Sequence, residues 1–292
     1  MMGDSFGTII KGVGGLYTVW QDNEFIQCVP RGHLRKDGLK PMVGDHCVVT
    51  DGAFGEILER KNSLVRPKVA NVDAIVFVIA ACNPKPDLML LDKLIAAARV
   101  REITPVLLIN KADQGDNEAI EIKNQYKNAI DNIFIMSLAE KSGDTVDDLK
   151  RALPVGVTVL AGQSGVGKST LTNTLLEKSV MVTGELSRKT EKGKQTTRHA
   201  EMFMIEDGKF VIDSPGFSMF DVDSVGSSEL QWYYPEIADH RGTCRFLDCS
   251  HTGEPDCFVT ELLGAGIMNN MRYERYKAIY NELKEKEKNK YR

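Results

Sequence analysis

The sequence predicts a multidomain protein with an α/β centre. An all-β barrel occupies residues 1–66, an α/β domain 67–220, and a mostly helical domain 221–292. Three observations predict this. The first part is a series of short apolar runs separated by turn residues. The second alternates continuous apolar runs with segments of helical spacing. The third gathers three cysteines and a histidine into one polar, Gly/Pro-containing stretch.

Composition narrows the class. At 292 residues, 42% hydrophobic and 27% charged, the chain has an ordinary globular balance. A net charge of −4 excludes a generic polyanion binder, so any nucleic-acid contact must come from local basic patches. No basic-then-apolar start and no long apolar run occurs, so we expect no leader and no membrane partner; a cytoplasmic location and a monomer are further expectations. Cys28, Cys47 and Cys82 are scattered while Cys244, Cys249 and Cys257 cluster. That pattern suits a reducing compartment better than a disulfide framework.

In the first part, strand-like runs at 7–11, 16–20, 24–29, 44–50 and 54–59 are joined by turn residues such as Asp22-Asn23 and Asp51-Gly52. Five short strands suggest a small closed barrel, most simply an OB-fold. The basic loop Arg31-Gly32-His33-Leu34-Arg35-Lys36 lies between the third and fourth strands. We expect RNA contact there, since such barrels hold oligonucleotides with their loops and one sheet face.

In the second part, 72–80 reads as a buried parallel strand. A helix is expected over 88–100 through Leu91, Leu94, Ile95 and Ala98, strands at 105–109 and 133–136, and a helix over 146–153. Runs at 199–205 and 209–212, joined by Asp207-Gly208, read as a hairpin, so one strand should be antiparallel.

The chemistry sits at strand ends. An apolar run enters Gly162-Gln163-Ser164-Gly165-Val166-Gly167-Lys168-Ser169-Thr170, and a helix-forming run follows. This is the context a G-x-x-x-x-G-K-[ST] phosphate loop requires. Glycines let successive N–H groups turn toward an anion, and the following helix adds its positive end. Lys168 is expected to reach the β- and γ-phosphates, and the Ser169 hydroxyl to ligate Mg²⁺. Asn110-Lys111-Ala112-Asp113 follows the 105–109 strand. A carboxylate at Asp113 can accept from N1–H and the exocyclic amine of guanine, a pairing adenine cannot offer. Lys111 would lie over the base, and Asn110 would tie the loop to its neighbours. Ser137-Leu138 at another strand end would let a backbone N–H approach the guanine carbonyl.

Asp213-Ser214-Pro215-Gly216 closes the last strand. Asp213 is expected in the Mg²⁺ shell and the Gly216 N–H at the γ-phosphate. The polar, Lys/Arg-rich segment 187–198 reads as a loop ordered by bound nucleotide, with Thr196 or Thr197 on Mg²⁺. Where many such enzymes carry a water-orienting Gln, this chain has Phe217. Slow turnover follows, with Lys168 and Thr197 as catalytic groups and His199 as the candidate that orients water. The order is unusual, because the base-reading motifs precede the phosphate loop. The segment 68–220 resembles a circularly permuted GTPase domain, joined near 150–157.

In the third part, Cys244, Cys249, His251 and Cys257 lie within fourteen residues. Three thiolates and one imidazole match a closed tetrahedral site, so we expect one structural Zn²⁺. The mixed-sign tail reads as a solvated helix end, and the net +4 counted from Arg272 to Arg292 leaves a phosphate-backbone contact open.

Barrel, permuted phosphate-loop domain and Cys-x₄-Cys-x-His-x₅-Cys site together resemble the ribosome-small-subunit-dependent GTPase A family over nearly the whole chain. The resemblance implies conversion of GTP to GDP late in 30S subunit assembly, stimulated by the subunit and followed by release. It also implies contact of the barrel and zinc domain with 16S rRNA. The competing expectation is an RNA-binding scaffold that keeps GTP as a structural ligand.

Overall fold

Short β-rich runs between turn residues make the first five strands: β1 (Ser5–Val13), β2 (Leu16–Gln21), β3 (Glu24–Pro30), β4 (His46–Thr50) and β5 (Ala53–Ile57). In this computed structural model, which describes residues 5–32, 34, 40–183, 202–213, 225–239 and 244–290, they close a barrel in the order β1-β2-β3-β5-β4. Asp22 and Asn23 both take left-handed backbone angles at the β2–β3 turn, as a tight hairpin demands. Ile9, Val19, Cys28, Leu34, Cys47, Val49 and Phe54 fill the interior. Leu34 of the basic loop 31–36 is buried as part of that core. His33, Arg35 and Lys36 lie outside the described residues.

A two-stranded pair, β6 (Ser63–Leu64) and β7 (Val69–Ala70), leads into β8 (Val72–Ala80). Then follow α1 (Leu88–Val100), β9 (Thr104–Asn110), α2 (Asp116–Tyr126), β10 (Ile133–Ser137) and β11 (Ser142–Gly143). Next come α3 (Val146–Ala152), β12 (Gly156–Ala161), α4 (Lys168–Thr183), β13 (Met202–Glu206) and β14 (Lys209–Asp213). A 3₁₀ turn at Ser227–Tyr233 precedes α5 (Pro235–Ala238), α6 (Val259–Gly264) and α7 (Asn270–Lys290).

The central sheet has the order β11-β10-β9-β8-β12-β14-β13. β9 and β10 pair in parallel, as do β12 and β14, and β13 is antiparallel to β14. β8, β9 and β10 are thus consecutive on one side of the phosphate-loop strand β12, and the later β14 and β13 lie on the other. That is the arrangement a permuted chain order produces. β11, an antiparallel pair of residues with β10, is too short for periodicity to signal.

The chain forms two compact units. One comprises Met1–Ile75, Val146–Ser164 and Lys168–Met219, the other Val76–Thr145, Gly165–Gly167 and Phe220–Arg292. Within the first, Asp73 of β8 accepts the Val157 N–H of β12 at 2.7 Å and pairs with Lys61. Trp20 of the barrel meets Phe210 of β14 edge to face, 5.2 Å between centroids. Within the second, Arg272 of α7 is fully buried. It pairs with Asp92 of α1 and with Glu236 at 2.7 Å, and lies 4.4 Å from the Tyr234 ring and 5.0 Å from Tyr126. Arg275 joins the same Asp92. Two of the eight cations counted in the tail are therefore committed inside the protein, and the balance left for the surface falls from +4 to +2. No helix among the described residues is long and apolar enough to cross a membrane.

Candidate functional site

β9 ends at Asn110, which is only 3% exposed. Its two amide atoms face two different loops. Nδ2 donates to the Val166 carbonyl of the phosphate loop at 2.7 Å, and Oδ1 accepts the Leu138 N–H after β10 at 3.0 Å. Gly167 fits beside it because it lacks a Cβ. At φ +103° an added Cβ would lie 2.3 Å from Asn110 Nδ2. One asparagine thus holds together the phosphate loop, the Asn110–Asp113 turn and the Ser137-Leu138 turn. Lys111 sits in the left-handed region, and its Nζ donates to the Asn83 carbonyl at 2.8 Å, which fixes its stem. Ala112 is half-buried, Ser137 is buried, and Asp113 is exposed and accessible to a ligand.

The remainder of the phosphate loop belongs to the first unit. Lys168 Nζ donates to the Gly162 carbonyl at 2.6 Å and the Gln163 carbonyl at 2.9 Å, folding the loop around its own ammonium. Burial pulls the Lys168 pKa down, and the Asp213 carboxylate opposes that. Ser164, Gly165, Ser169 and Thr170 are exposed. Ser169 and Thr170 lie in the first turn of α4, where N–H groups and the helix dipole favour an anion. Lys168 and Asp213 are brought within electrostatic reach of each other, as a phosphate–metal site requires. Thr196, Thr197, His199 and Gly216, with Ser214, Pro215 and Phe217, lie outside the described residues.

In the second unit, Cys244, Cys249, His251 and Cys257 place their ligand atoms within 4.8 Å of one another. The Sγ separations are 4.0 Å for Cys244–Cys257 and 3.7 Å for Cys249–Cys257. His251 Nδ1 lies 3.5 Å from the Cys244 sulfur and 3.4 Å from that of Cys257. A tetrahedron with bonds of about 2.3 Å to sulfur and 2.0 Å to nitrogen has edges of roughly 3.8 Å and 3.5 Å. The donor set therefore fits one tetrahedral ion in both chemistry and size. Burial pushes the Cys249 thiol up to about 12 and raises Cys257, and it lowers His251. Three sulfurs packed this closely need a cation to become thiolates.

Neighbours shape this cluster, and no motif announced them. The Phe258 N–H donates to the Cys244 sulfur at 3.4 Å. Glu254 accepts the N–H groups of Ser250, Thr252 and Gly253 at 2.9, 2.8 and 3.1 Å. Tyr276 donates its hydroxyl to the Ser250 carbonyl at 2.8 Å, and Gln231 faces the far side of the His251 ring at 3.0 Å. Only spacing along the chain could have flagged them, and these partners lie up to 26 residues from the atoms they hold.

Comparison with known proteins decides the family. The RsgA GTPase model matches residues 57–223, and the RsgA N-terminal domain model matches 6–52. The chain belongs to the RsgA GTPase family. It is a GTP-hydrolysing enzyme of circularly permuted architecture. Among curated RsgA relatives, the small ribosomal subunit biogenesis GTPase RsgA of Ruminiclostridium cellulolyticum is 43% identical over 288 residues, covering 96% of this chain and 94% of its own. The protein of that name from Caldanaerobacter subterraneus subsp. tengcongensis is 39% identical over 98% of each chain. Among solved structures, YjeQ from Thermotoga maritima superposes with a TM-score of 0.79 at 31% identity, over 96% of this chain and 99% of that one. YloQ, described as a circularly permuted GTPase, has a TM-score of 0.79 at 30% identity, over 98% and 96%.

Proposed function

We propose that this GTPase acts in the late maturation of the 30S ribosomal subunit, binding the particle with GTP and leaving it after hydrolysis to GDP. The observation that carries the nucleotide part is Asn110, whose two hydrogen bonds hold the base-reading turn to the phosphate loop. The ribosomal part rests on the names of relatives that are similar over nearly the full chain, small ribosomal subunit biogenesis GTPases.

In this reading Asp113 selects guanine, Lys111 and Ala112 flank the base, and Ser137 and Leu138 close over its carbonyl. Gly162 to Thr170 cradle the phosphates, with the Lys168 ammonium leaving the loop carbonyls for phosphate oxygens. Ser169, Asp213 and Thr196 or Thr197 hold Mg²⁺, which when bound offsets charge on the β- and γ-phosphates. Gly216 contacts the γ-phosphate, and His199 orients the attacking water in place of the missing Gln. Cys244, Cys249, His251 and Cys257 hold one structural Zn²⁺. Three functional parts follow, 1–66, 67–220 and 221–292, with the barrel and the metal-binding part on 16S rRNA. The protein works in the cytoplasm as a monomer.

Co-sedimentation with purified small subunits tests the cycle. A non-hydrolysable GTP analogue should retain the protein on the particle, and GDP should release it. Equal retention with both would refute a nucleotide-gated cycle and favour an RNA-binding scaffold that keeps GTP as a structural ligand.

A further inference from the structure

A histidine that ligates through one nitrogen leaves the other to be satisfied, and the partner chosen decides the tautomer. Here Nδ1 of His251 faces the sulfurs and Nε2 lies 3.0 Å from Gln231 Oε1. The amide orientation is not arbitrary. Gln231 Nε2 donates to the Ser228 carbonyl at 3.0 Å, which turns Oε1 toward the ring. An amide oxygen can only accept, so Nε2 must carry the hydrogen and Nδ1 the lone pair. His251 holds this pose from the left-handed region, at φ +60°.

The turn that carries Gln231 is itself anchored. The Ser227 N–H and hydroxyl each donate to the Glu287 carboxylate at 2.6 Å, and Leu230 is buried. Gln231 therefore has a fixed base from which to orient the ring.

We propose that Gln231 is a positioning residue of the metal centre. It sets His251 as the Nε2–H tautomer that ligates through Nδ1, and so ties the ion to the Ser227–Tyr233 turn, which leads the described chain after Asp213. This rests on the Cys₃His zinc reading above.

The tests use the full-length, zinc-loaded protein. Imidazole ¹⁵N NMR of the wild type should show Nε2 protonated and Nδ1 bound to metal. The reverse assignment would overturn the proposal without any variant. A cavity of about 140 Å³ borders Gln231, Cys249 and Ser250, so water could replace a truncated side chain. Gln231→Met avoids this, since it fills the same length with only a thioether. It should bind zinc 10–100-fold more weakly in competition with a colorimetric chelator. Gln231→Glu should recover the affinity, because a carboxylate accepts the same hydrogen. Wild-type affinity in Gln231→Met, or no recovery in Gln231→Glu, would overturn the proposal. A wild-type protein that holds no zinc would instead sink the metal reading itself.

Discussion

Replacing Asn110 by alanine removes two hydrogen bonds at a site that is 3% exposed. The Val166 carbonyl and Leu138 N–H each lose their partner, at about 1–3 kcal/mol apiece when left unsatisfied in the interior. The full range is thus about 2–6 kcal/mol, and water entering the vacated space favours the lower half. The loops relax in the free protein and must be re-ordered by ligand, so we expect much of this loss in binding. At about 1.4 kcal/mol per tenfold, 2–4 kcal/mol weakens nucleotide affinity by about 30- to 1,000-fold. Titration with a fluorescent GDP analogue reads this, and urea unfolding of the same variant separates it from global destabilisation. Gly167→Ala should act on the same amide, because its Cβ would meet Asn110 Nδ2. The double variant should therefore cost less than the sum of the two single ones. Nucleotide affinity within about twofold of wild type in a folded Asn110→Ala protein would refute the reasoning.

Other expectations concern the base, the buried charge and the metal. Asp113→Asn exchanges an acceptor for a donor, so guanosine nucleotides should lose on the order of 10⁴ in affinity while xanthosine nucleotides gain. Competition binding measures both. Arg272→Met removes the buried cation that Glu236 and Asp92 share and leaves Asp92 with Arg275 alone, and should destabilise the protein by about 3–5 kcal/mol in urea titrations. Zinc binding near neutral pH should release at least two protons, from the Cys249 and Cys257 thiols that burial has raised. Affinity should therefore rise with pH, by about a hundredfold per unit where two protons are displaced. Calorimetry in buffers of different ionisation enthalpy counts them.

Long apolar periods and motifs at strand ends were legible in the sequence. β8 and α1 fall on the expected residues 72–80 and 88–100, because a continuous apolar run and a 3.6-residue period each allow one structure. Asn110 ends β9, and its two amide bonds run to Val166 and Leu138. By contrast α2 has a weak apolar stripe and buries Gln125 as well as Ile122 and Tyr126, so its pattern resembles a polar loop. Arg272 misled the charge count for a related reason. Composition records a cation, and only the fold shows Asp92 and Glu236 converging on it from elements far apart in the chain. Gln231 carries no signal at all, since its meaning lies in one hydrogen bond across 20 residues.

GTP turnover by the purified protein, titrated with small ribosomal subunits, tests the central claim most directly. The account predicts slow phosphate release alone and a rate that climbs with added subunits until it saturates. A rate unmoved by subunits would contradict it.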